Sequence, residues 1–234
     1  MKENEIKIYY KNYSLKFTNN TEYDLLNQVG KTYLGNTITK EIFNNIIKSI
    51  VFNLNILEKD EILDLCCANG LITKYISNYC KFVNGFDLSD DLINTAKNVC
   101  SLDNNSFKTL NILDIDFNKY KSSKIYMYEA LQFFNGEMLK DLLVKISSSK
   151  NAFKFFIGSI PDQEKIFEFY NTQERKKYYF NEVLNNGKFH IGNWWYKEQI
   201  QYLCEEIGLK CTIIKQDSSL HTAHYRFDCL IEKD

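Results

Sequence analysis

"EILDLCCANGLITKYI", residues 61–76, passes from an apolar strand-like run through a turn of small residues into an amphipathic segment. Strand, tight turn and helix in immediate succession make the opening unit of a parallel α/β sheet. Within the turn, Cys66, Ala68 and Gly70 take the alternate small positions of a G-x-G-x-G loop, and the last alone is glycine. Cys and Ala are still small enough to let a ligand approach the backbone, the role such glycines play. Asp64 closes the strand, where it would repel an anion and attract a ligand bearing an ammonium group.

Working outward, "KFVNGFDL" (81–88) reads as a second buried strand closed by Asp87. A carboxylate there can accept hydrogen bonds from both hydroxyls of a ribose. Two acids so placed ask for a nucleoside that carries an amino acid. Between the strands, Leu71, Ile72, Tyr75, Ile76 and Tyr79 share one helical face. Beyond them Ser89 can cap a helix with Asp90 and Asp91 in its first turn and Leu92, Ile93, Ala96 and Cys100 as its buried stripe. Further strands are predicted at 107–110, 125–128 and 152–159, with a helix at 138–146 before the last. "KCTIIK" (210–215) and "YRFDCLIE" (225–232) lie too close together for a crossover helix, so they should form an antiparallel hairpin. Ahead of the sheet, Ile42, Phe43, Ile46, Ile47, Ile50 and Val51 form an amphipathic helix capped by Thr39.

Composition sets the bounds. A chain of 234 residues, 44% hydrophobic and 15% aromatic, can bury one sizeable core. We therefore expect one domain over 1–234: a helical lid or accessory layer (1–58), a cofactor-binding core (59–160), an acceptor-side insert (161–195), and a last helix with the terminal hairpin (196–234). A formal net charge of -1 with dispersed Lys and Arg argues against a nucleic-acid partner. The chain holds no apolar run of membrane-spanning length, and "MKENEIKIYYKNY" is too charged for a signal peptide, which predicts a cytoplasmic protein without membrane insertion. Seven cysteines without a CxxC pair fit reduced, buried thiols, and no metal site is expected.

Taken in order, "ILDLCCANG", "GFDLSDDLINTAK", "FKTLNILDIDF" and "IYMYEALQFF" resemble the signatures of the class I S-adenosylmethionine-dependent methyltransferases. The resemblance covers roughly 60–160 and implies a Rossmann-like seven-stranded, mostly parallel sheet with an antiparallel last strand and helices on both faces. It also implies S-adenosylmethionine as cofactor. Asp64, Cys66, Ala68, Asn69 and Gly70 would hold its methionine part, Asp87 the ribose, and Leu88, Asn111 and Ile112 the adenine. Tyr128 would lie beneath the transferable methyl, while Gln28 and Gly30 belong to a covering lid. Two other readings stay open: a nicotinamide-dependent Rossmann oxidoreductase, and a catalytically silent cofactor-binding subunit.

Topology points to the acceptor side. In a sheet of this kind ligands lie beyond the carboxyl ends of the parallel strands, and an antiparallel last strand begins there. The loop "QDSSLHTAHYRFD" (216–228) thus brings His221 and His224 to the mouth as candidate bases, with Glu129 a third. Gln132, Tyr170, Arg175, Tyr179 and Trp194 are candidate acceptor-binding residues, combining aromatic faces with a cation. The segments "IGSIPD", "FYNTQERKKYYF", "GNWW" and "HYRFD" are similar to bacterial methyltransferases found among surface-polysaccharide functions. That similarity implies a sugar, nucleotide-sugar or capsule-modifier acceptor, methylated on oxygen or nitrogen.

Overall fold

The computed structural model describes residues 21–33, 35–149 and 152–233. Residues 1–20 of the expected accessory layer, with the charged amino-terminal stretch, lie outside them. Seven strands form one sheet: β1 (Glu61–Leu65), β2 (Phe82–Asp87), β3 (Asn105–Thr109), β4 (Lys124–Tyr128), β5 (Phe153–Pro161), β6 (Lys210–Lys215) and β7 (Arg226–Lys233), in the order β3-β2-β1-β4-β5-β7-β6. The first five strands run parallel, and β7 is antiparallel to both β5 and β6. This is the expected Rossmann-like architecture, with the order reversing between β1 and β4.

Alternation along β1 decides which layer each side chain joins. Leu63 and Leu65 meet Met127, Phe155 and Ile157 on the face covered by Leu139, Leu142 and Ile146 of α5 (Gly136–Ser147) and Ile200 and Cys204 of α8 (Lys197–Glu206). Ile62, Tyr126 and Phe156 take the other face, under Phe43, Ile46 and Ile50 of α2 (Lys40–Leu54) and Ile93 and Ala96. The local signals hold: Thr39 caps α2 through Ile42 N–H, and Ser89 caps α4 (Asp90–Thr95) through Leu92 N–H.

One detail differs from the sequence reading. Helix α3 (Leu71–Ile76) gives way to a 3-10 turn at Ser77–Tyr79, which swings Tyr79 to 43% exposure instead of the buried face. Its place on the sheet side is taken by Thr73, fully buried. The segment between β5 and α8 is two short helices, α6 (Ile166–Phe169) and α7 (Gln173–Tyr178), followed by a π-turn over Tyr179–Asn185. Ahead of the sheet, α1 (Glu22–Gln28) and paired Thr32–Tyr33 and Asn36–Thr37 lie on the carboxyl side of β1, tied to it by Asn69.

Candidate active site

The loop after β1 keeps a glycine backbone without the glycines. Cys66 (φ 65), Ala68 (φ 50) and Gly70 (φ 75) all take the left-handed conformation, which costs a residue with a Cβ about 1–2 kcal/mol. Glu129 (φ 54) and Ser159 (φ 62), at or beside the carboxyl ends of neighbouring strands, are strained in the same way. Such strain persists where surrounding contacts over-determine it, as they do at binding sites.

Those contacts are specific. Ala68 N–H donates to Asp87 at 2.9 Å, and the other Asp87 oxygen accepts from Ser89 N–H at 2.9 Å. Burial raises the Asp87 pKa while the N–H groups of Ser89, Ala68 and Leu88 oppose that rise. Asp64 accepts from Thr73 Oγ1 (2.5 Å) and Tyr126 Oη (2.6 Å). At 2% exposure its carboxyl is pushed by burial up to about 7, against the pull of those two hydroxyls. Burial, with Asp64 and Asp87 nearby, also drives the Cys66 and Cys67 thiols well up, so the vicinal pair packs rather than reacts.

One cavity of about 630 Å³ opens over the carboxyl ends of the strands. The half expected to take the cofactor is walled by Asp64, Cys66, Ala68, Asn69, Asp87 and Leu88, with Asn111 and Ile112 beside the apolar Leu110 and Leu113. Asn111 accepts from Leu113 N–H and so caps the turn at that wall. The half expected to take the acceptor holds Gly30, Lys31, Tyr128, Glu129, Gln132, His221 and Arg226, with Phe133, Phe169, Phe189, His190 and Tyr225 as an aromatic wall. Backbone opened by small left-handed residues, a half-buried acid and a flanking apolar slot fit a nucleoside bearing an ammonium group.

Several expected residues stand elsewhere. Gly70 is absent from the cavity wall: a Cβ there would lie 2.6 Å from the Phe107 ring and 2.9 Å from Ala96, so its glycine serves helix packing. Gln28 is buried and accepts from Asn69, which also donates to Leu25 O; the pair ties α1 to the loop and does not present Gln28 to the cavity. Arg175 is exposed and donates to Phe169 O, with its guanidinium over the Phe169 ring at 5.5 Å. Tyr170, Tyr179 and Trp194 pack behind the wall around Phe169 and His190, and Tyr170 Oη lies 2.8 Å from His190 Nδ1. His224 points away from the cavity and packs against Tyr225.

Glu129 is a correction of a different kind. Burial opposes its charge, but Lys31, Arg226 and His221 overcome this and hold it down at about 2. A buried carboxylate paired with Lys31 is too weak a base to take a hydroxyl proton. Burial, by contrast, lowers the pKa of His221, and its Nδ1 is buried without a hydrogen-bond partner. Lys31 and Arg226 escaped the sequence reading. Arg226 carried a signal, being one of two arginines and lying within the stretch 216–228 argued to face the site; Lys31 is one of many lysines.

Residues 62–149, from β1 to just past α5, match a family described as the methyltransferase domain. The chain is an S-adenosylmethionine-dependent methyltransferase. A probable cobalt-precorrin-6B C(15)-methyltransferase (decarboxylating) of Methanococcus vannielii is 29% identical over 187 residues, 80% of this chain and 86% of the relative. Magnesium protoporphyrin IX methyltransferase from Synechocystis PCC 6803, with bound SAH, has the same fold at a TM-score of 0.64 and 12% identity, covering 100% of both chains. The DhpI-SAM-HEP complex gives 0.61 at 14%, over 97% of this chain and 95% of that one. With the methyltransferase match, the nicotinamide oxidoreductase alternative falls. No described helix of the methyltransferase is long and apolar enough to cross a membrane, and no cluster of metal-ligating side chains occurs among the described residues.

Proposed function

We propose that this methyltransferase acts on a hydroxyl or amine of a small molecule, with His221 as the proton acceptor. The observation that carries the reading is the shared cavity: about 630 Å³ has to take both the cofactor and the acceptor, which leaves room for a compact molecule. S-adenosylmethionine supplies an electrophilic methyl group. Asp64, the loop of 66–69 and Asp87 would hold it, with Leu88, Asn111 and Ile112 along the adenine. The chain's own work is then placement, exclusion of water and acceptance of a proton. His221 Nδ1, unpartnered and on a ring whose pKa burial lowers, would do the last of these. The lid or accessory layer of 1–58, tied to the loop where Asn69 bonds Leu25 and Gln28, and the rest of the four-part division of one domain are retained as part of this proposal.

The aromatic wall of the acceptor half suits the flat face of a sugar ring or base, which supports a sugar or nucleotide-sugar acceptor of the surface-polysaccharide kind. The test is incubation with methyl-deuterated S-adenosylmethionine and cell extracts separated into small-molecule, protein and nucleic-acid fractions. Label in the small-molecule fraction, and its loss when nucleotide sugars are removed, is expected. Label confined to protein or nucleic acid overturns the acceptor class.

A further inference from the structure

Arg226 is, with Lys31, one of two buried cations that line the cavity. It is 6% exposed, and one terminal nitrogen donates to Gln132 Oε1 (2.9 Å) and Ser159 O (2.6 Å). Its Nε is buried and makes no hydrogen bond. His221 Nδ1, another lining residue's buried nitrogen, is also unpartnered. A buried polar nitrogen left without a partner is costly, and both residues belong to the wall of a ligand cavity.

The charges around these atoms have a definite sign. Lys31 and Arg226 are the cations of the expected acceptor half and Glu129 its carboxylate, already paired with Lys31. Asp228, the next carboxyl, does not line the cavity and accepts from Ser159 N–H and Gln216. The Arg226 guanidinium therefore faces the cavity without a carboxylate bonded to it. A guanidinium at the wall of a ligand cavity, with no carboxylate bonded to it, favours a charged, planar or tetrahedral oxyanion.

We propose that Arg226 is the specificity-determining residue for an anionic group, a carboxylate or a phosphate, carried by the methyl acceptor. The proposal rests on the methyltransferase reading and narrows it: the acceptor is a small acid whose body lies along the aromatic wall and whose oxyanion meets Arg226. Gln132, another lining residue, accepts from the guanidinium and helps to hold it in place.

The experiment is calorimetry on the full chain saturated with S-adenosylhomocysteine, using benzoate, phenyl phosphate and the neutral benzamide as probes. Wild type is expected to bind benzoate or phenyl phosphate at least tenfold more tightly than benzamide, and the tighter of the two names the anion. Arg226→Gln is expected to abolish that preference, while Arg226→Lys keeps part of it and loses the bidentate component. Equal binding of benzoate, phenyl phosphate and benzamide by wild type overturns the proposal, and so does a folded Arg226→Gln that keeps the preference. Should Arg226→Gln fail to fold, the wild-type ratio decides the matter alone. S-adenosylhomocysteine affinity is read first: its absence sinks the methyltransferase reading, whereas its presence without anion preference sinks this inference alone.

Discussion

The backbone N–H of Ala68 donates to the carboxylate of Asp87, joining the loop after β1 to the end of β2. The acid placed for a ribose is therefore also the brace that keeps a strained loop in shape. Asp87→Ala should weaken S-adenosylhomocysteine binding by roughly 1.5–3 kcal/mol from the lost bonds to a charged acceptor. Isothermal titration with a folding control checks it; unchanged affinity in a folded variant would remove Asp87 from the cofactor site.

Ala68 and Gly70 have the same backbone hand but opposite tolerance. Ala68→Gly removes left-handed strain, so it should be neutral or stabilising within about 1 kcal/mol, where an ordinary Ala→Gly costs about that much. Gly70→Ala drives a Cβ into Phe107 and Ala96 and should cost about 1–3 kcal/mol by overpacking. Urea unfolding measures both. If trimming Phe107 to Leu alongside Gly70→Ala restores nothing, the packing explanation is wrong.

Lys31 and Glu129 stand 98 positions apart and form a buried ion pair across the site. Lys31→Met should destabilise by about 3–5 kcal/mol by leaving a buried carboxylate alone, and Glu129→Leu added to it should recover most of that loss. Purely additive losses would refute the coupling. Because Glu129 is held at about 2, its contribution is present above the ordinary 4.5 and is lost as pH falls toward 2. Acid unfolding of Lys31→Met should accordingly lack that limb.

Much of this was legible where the cause is local. The caps at Thr39 and Ser89, the strand carrying Asp64 and the hairpin at the carboxyl end follow from neighbours in sequence, and the loop's small residues announced its backbone. What escaped depends on contacts made across the fold. Gly70 answers to Phe107 on β3, Gln28 turns to Asn69, Arg175 folds back on Phe169, and the Lys31–Glu129 pair joins the lid segment to β4. A long polar side chain can point several ways from one backbone position, and nothing in its own neighbourhood chooses among them.

Asp64 ties stability to pH in the direction opposite to Glu129. Folding raises its pKa from 3.8 to about 7, so its stabilisation is full below 3.8 and is lost as pH climbs through 7. Asp64→Asn keeps an oxygen for Thr73 and Tyr126 and cannot ionise. It should melt higher than wild type at pH 8, little differently at pH 4, and bind S-adenosylmethionine more weakly. A melting difference that does not change between those two pH values would contradict the assignment.

His221 decides whether proton transfer belongs to the loop before β7. Burial lowers its pKa, Lys31, Arg226 and His224 add to the effect, and Glu129 opposes it. The neutral imidazole, the form that accepts a proton, is thus the main form at neutral pH, and the acidic limb of the rate should fall below the ordinary 6.5. His221→Ala should lower single-turnover transfer to a hydroxyl acceptor by about 10²–10⁴ and erase that limb, with cofactor affinity nearly unchanged. His224→Ala, outside the cavity, should leave both as they are. The measurement is a pH series with the acceptor identified by isotope labelling. A His221→Ala enzyme with the wild-type rate and the same acidic limb would mean that no base from this loop is used, since Glu129 is already held as the partner of Lys31.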